Sequence, residues 1–130
     1  MAAPKTILVA YDDPTTETLG RAADLAEALG SNLIVTTVAA SADRDSGEEE
    51  RAASERLDHA RSYLDGRGLA ADFVPAEGHP AAAIVDLAHR RSADLIVVGT
   101  RRKGFFERLV EGSVNQEVLR RAPCDVLVVY

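Results

Sequence analysis

Four short apolar runs carry no polar alternation, and they constrain the fold more than anything else in the chain. They are Thr6–Tyr11, Asn32–Ala39, Asp94–Gly99 and Val126–Tyr130. A strand with one wet face alternates apolar and polar residues. A strand that is apolar throughout is covered on both faces, as in a parallel sheet. Parallel neighbours need long crossovers, and segments with helical spacing lie between these runs. Leu19, Ala22, Ala23, Ala26 and Leu29 share one helical face, closed by Gly30. Leu57, Ala60 and Leu64 mark a second helix, ended by Gly66-Arg67-Gly68. His79-Pro80 opens a third, with Ile84, Leu87 and Ala88 inward. Val114, Val118 and Leu119 carry a fourth to Arg121, stopped by Ala122-Pro123. A weaker strand is expected over Leu69–Pro75, and Ser41–Glu50 reads as a polar, mobile loop. Asp13 or Thr15 would cap the first helix, with Pro14 in its first turn. The reading is an α/β fold with five strands, helices on both faces, and residues 1–130 as a single domain.

Composition narrows the function classes. The formal net charge of −6 argues against general binding to nucleic acid or anionic membranes. No apolar run approaches the roughly 20 residues that span a bilayer, and the N-terminus lacks a signal-peptide layout. A cytoplasmic location is expected. The lone Cys124 excludes an intramolecular disulfide and a cysteine-based metal site, and reads as a small, half-buried residue. His59, His79 and His89 share no ligand spacing, so no metal or catalytic role follows. No nucleophile–base pair can be named either, so no catalytic residue is assigned.

The chemistry-bearing stretch is Gly99–Ser113, GTRRKGFFERLVEGS, between the fourth strand and the fourth helix. A glycine-bearing basic loop ahead of a helix start is suited to anions, because the first helical N–H groups are unpaired and the dipole is positive there. The competing reading is a tight turn with an N-cap serine. Ligands in such sheets sit beyond the carboxyl ends of the strands, where the strand order switches. One crevice there would collect Asp12, Val38 and Gly99.

The segments ILVAYDD, LIVTTVA, EGHPAAAIVDLA, ADLIVVGT and GSVNQEVLRRAPCDVLVV together resemble a universal stress protein domain across all 130 residues. The resemblance implies a Rossmann-like open parallel sheet in order 3-2-1-4-5. It also implies a homodimer formed through the last strand, Val126–Tyr130, and a stress-response regulatory role with ATP or AMP as ligand and Mg²⁺ alongside ATP. Carried over by position, Ala10 and Asp12 lie by adenine and ribose, and the Val38 backbone bonds the adenine edge. Val98 and Gly99 line the floor, and Gly112, Ser113 and Val114 hold phosphates. ATP-binding members carry a glycine where this chain has Arg102, with Gly104 two residues later, and often a glycine where it has Asp13. Arg102 can obstruct phosphate or contact it as a bidentate donor. These departures support an alternative, a nucleotide-independent interaction dimer. A phospho-accepting receiver domain, suggested by Asp12-Asp13 and Thr100, lacks the required acid after the third strand and lysine after the fifth.

Overall fold

The computed structural model describes residues 3–11, 16–39, 46–99 and 114–129. The apolar runs form β1 (Thr6–Ala10), β2 (Asn32–Ala39), β4 (Leu95–Gly99) and β5 (Asp125–Val129), joined by β3 (Asp72–Glu77). Between them run α1 (Glu17–Leu29), α2 (Ser46–Arg67), α3 (Pro80–Arg90) and α4 (Val114–Arg121). All strand pairs are parallel, in the order β3-β2-β1-β4-β5.

Side chains alternate across a strand, so each strand feeds two cores. Ile7, Val9, Val35 and Val97 pack under α1 and α2, against Leu19, Ala22, Leu57 and Leu64. Leu8, Ile34, Ile96 and Val98 pack under α3 and α4, against Ile84, Leu87 and Val118. The sheet is thus covered on both faces, as its lack of polar alternation requires. Asp94 anchors the amino end of β1: its Oδ2 accepts the N–H groups of Lys5 and Thr6, each at 3.0 Å. Arg67, at the end of α2, bridges Asp24 and Glu27 of α1, each at 2.8 Å. Its guanidinium is held more firmly protonated than usual by Asp24, Tyr63 and Glu27.

Several expectations are corrected. The third strand is Asp72–Glu77 and not Leu69–Pro75. Gly68 is left-handed (φ 72°), and its N–H and that of Leu69 turn back onto Asp65 and Leu64, so the strand starts later. Pro75 stays inside it because β3 is an edge strand. Gly78 N–H reaches the Ala39 carbonyl at 3.3 Å. By alternation Ala76 and Val74 also face β2, and the Pro75 nitrogen faces the open edge. Ser46–Glu50 is the start of α2 rather than loop, with Glu48 and Glu49 in the first turn, where acids suit the helix dipole. α1 begins at Glu17 with Thr16 at its N-cap, and the expected caps Asp13 and Thr15, with Pro14, lie outside the described residues. Leu29 and Leu119 face outward, 42% and 54% exposed; Leu119 lies one position off the inward stripe of Val118 and Ala122. Gly30 closes α1 in the left-handed conformation (φ 68°), as expected.

One buried polar atom is at odds with its surroundings. Thr36 is fully buried in β2, and among the described residues its Oγ1 has no hydrogen-bond partner. An unpaired buried hydroxyl costs free energy that an apolar group of the same shape avoids. Thr36→Val is therefore expected to stabilise the fold by about 1 kcal/mol. A thermal melt would rise by about 4 °C.

Candidate functional site

β1 lies at the centre of the sheet. From it the chain moves outward through β2 to β3, then returns to β4 on the other side of β1. The carboxyl ends of β1 and β4 thus diverge into helices on opposite faces, which opens a crevice between them. Ala10, Val38 and Val98 are buried on the same face of the sheet, the one under α3 and α4. Gly99 ends β4 and Val114 begins α4. Four other residues of the expected site, Asp12, Arg102, Gly112 and Ser113, lie outside the described residues, as do Asp13 and Gly104.

Val38 has a backbone suited to an edge contact. Strand carbonyls alternate sides. The Thr36 carbonyl accepts from Tyr11 N–H at 2.7 Å, toward β1, whereas the Ala39 carbonyl accepts from Gly78, toward β3. The Val38 carbonyl shares the direction of Thr36, but β1 has ended at Ala10 by that level. It therefore lies beyond the last described bond between β2 and the β1 side.

Gly99 has a packing role that the sequence did not show. A Cβ at this position would collide with Oγ1 of Thr18, which is buried in the first turns of α1. The glycine lets α1 approach the carboxyl end of β4.

Two side chains of α2 were missed. Arg56 Nε donates to Thr37 Oγ1 at 2.7 Å, and its Nη2 donates to the Val38 carbonyl at 3.4 Å. One helical turn on, Nδ1 of His59 shares a 2.6 Å hydrogen bond with the hydroxyl of the buried Tyr11, just past β1. Arg56 and His59 thus edge the carboxyl ends of β2 and β1 from the α1/α2 side. The signal available in the sequence was the i, i+3 polar pair flanking the apolar stripe of Leu57 and Ala60. Cys124 is half-buried, and burial together with Asp125 and Asp94 pushes its thiol up, away from the reactive thiolate. Among the described residues no three His, Cys, Asp or Glu side chains gather into a metal cluster, and no helix is long and apolar enough to cross a membrane.

Residues 4–130 match the model of the universal stress protein family. A universal stress protein from Thermus aquaticus, named for the QAH/OAS sulfhydrylase 3′ region, is 38% identical over 135 residues. That alignment covers 96% of this chain and 98% of the relative. Among solved structures, a universal stress protein in complex with cAMP superposes with a TM-score of 0.77 at 30% identity, covering 99% of both chains. The universal stress protein from Archaeoglobus fulgidus in complex with dAMP gives 0.71 at 26% identity, covering 96% of this chain and 97% of that one. With the sheet order, the two-sided core and the divergent strand ends agreeing with these matches, the chain belongs to the universal stress protein family.

Proposed function

We propose that this protein binds an adenine nucleotide, AMP or ATP, in the crevice at the carboxyl ends of β1, β2 and β4, and acts as a regulatory protein in the stress response. What supports the reading is that Ala10, Val38 and Val98 share one face near the carboxyl ends of β1, β2 and β4, where the strand order switches, with Gly99 ending β4. Buried apolar side chains suit the faces of a purine, and the Val38 carbonyl suits an amino group on its edge. Relatives solved with cAMP and with dAMP hold ligands of the same class. In this reading Asp12 lies by the ribose. The phosphates lie at the N-terminus of α4, held by Gly112, Ser113 and Val114 with Arg102 as a charged partner, and Mg²⁺ accompanies ATP. Residues 1–130 act as one domain in the cytoplasm, and β5 joins two copies into a homodimer. β5 is an edge strand with Val126, Leu127 and Val128 only half-buried, the kind of edge that a second strand protects.

The nucleotide-independent alternative rests on Arg102 and Asp13, which depart from the ATP-binding pattern. Calorimetric titration of the purified protein with Mg·ATP, beside Arg102→Gly, separates the two. Saturable binding by the wild type, weakened about tenfold in Arg102→Gly, is the expected result for an arginine that contacts phosphate. Binding only by the variant would mean that Arg102 closes the phosphate end. Silence from both would support the interaction dimer.

A further inference from the structure

We propose that Arg56 reads the six-position of the bound purine and admits bases with an oxo group there, as well as adenine. This inference rests on the nucleotide reading of the crevice. The Val38 carbonyl, on the β1 side of β2 beyond the last described bond to the β1 side, is an acceptor only. It complements the 6-amino group of adenine. A 6-oxo purine would set one carbonyl oxygen against another, leaving both desolvated and unpaired, a mismatch that sites of this kind reject strongly.

Arg56 changes that edge. Its guanidinium is fixed beside the carbonyl by two hydrogen bonds, to Thr37 Oγ1 at 2.7 Å and to Val38 O at 3.4 Å. Those bonds use Nε–H and one Nη2–H, leaving one further Nη2 proton and both Nη1 protons of its five donors. The group is half-buried, and among the described residues no carboxylate forms an ion pair with it. A half-buried cation with no counter-charge among the described residues suits an acceptor. The edge thus offers an acceptor for a 6-amino group and, within one guanidinium, donors for a 6-oxo group. Guanidinium N–H groups also suit the O6 and N7 acceptors of an oxopurine. A Lys would supply charge without the planar fork.

AMP and IMP differ in having an amino or an oxo group at C6, so they are the probes. The wild type is expected to bind IMP within about tenfold of AMP. Arg56→Met keeps the apolar stem and is expected to weaken IMP at least about tenfold while changing AMP by less than about threefold. Arg56→Lys serves as a second variant, with an intermediate loss of IMP, should the melting temperature of Arg56→Met show it to be poorly folded. An arginine that merely caps β2 would lower the melting temperature and weaken both nucleotides equally. An unchanged IMP-to-AMP ratio in both variants, or a wild type that binds AMP and not IMP, overturns this proposal and leaves the nucleotide reading intact. Absence of saturable binding of either nucleotide by wild type and variants overturns both.

Discussion

Ile96→Ala is expected to cost about 3–4 kcal/mol, the typical loss for truncating a fully buried isoleucine in a core that cannot collapse around the gap. Ile96 sits mid-strand in β4, paired with Leu8 of β1 and Val126 of β5, beneath α3 and α4. Its neighbours belong to different elements, so no single movement fills the space it leaves. Against a total stability of roughly 5–15 kcal/mol, this is a large fraction. Urea denaturation should show a lowered midpoint at an unchanged slope. Leu119→Ala is the matched control. That side chain is 54% exposed, so the same measurement should move by no more than about 0.5 kcal/mol. Equal losses at the two positions would contradict the burial of Ile96 in the core and the outward placement of Leu119 on α4.

Gly99→Ala is expected to cost about 2 kcal/mol, in the range for overpacking a core. The new methyl would meet Thr18 Oγ1, and Thr18 is buried and branched at Cβ, with little rotamer freedom to escape. The discriminating variant is Thr18→Ala combined with Gly99→Ala. Removing the hydroxyl clears the nearest atom, while the Thr18 Cβ stands at an ordinary 3.5 Å. The double variant should therefore recover at least about 1 kcal/mol relative to additivity, as neighbouring sites in contact do. Additive losses would show that the glycine is needed for another reason. Gly99 was read from the sequence as part of a nucleotide floor. Its contact with α1 shows that the fold needs it there as well.

The strands with unbroken apolar runs were legible because a residue type that must be buried on both faces leaves few alternatives. β3 was not, because Leu69 looks like a strand former and Pro75 looks like a stop. Only the position of β3 at the sheet edge makes Pro75 acceptable in its interior. The first turns of α2 were hidden by their acidity, which reads as loop until Glu48 and Glu49 are placed against the helix dipole. Leu29 fits the helical period but lies exposed in the last turn of α1, and Leu119 lies one position off the stripe of Val118 and Ala122. In the site, Ala10, Val38 and Val98 fall on one face because the period of two places them with Leu8, Ile34 and Ile96 on the α3 and α4 side. The i, i+3 pair of Arg56 and His59 did not name the partners of Arg56, which lie 18 and 19 residues away and meet it only as α2 packs over β2. The Tyr11–His59 bond spans 48 residues and was hidden for the same reason.

The central claim is that a nucleotide sits at the carboxyl ends of the strands. Amide NMR spectra recorded while AMP is added test it most directly, because they report binding and place together. The account predicts saturable shifts at Val38, Gly99 and Val114, with Thr6, Asn32 and Leu95 at the opposite end unmoved. A cleft lined by Gly30, Asn32, Ala71 and Arg91 lies at that opposite end. Shifts confined to those residues, or none at all at millimolar AMP, would contradict the account.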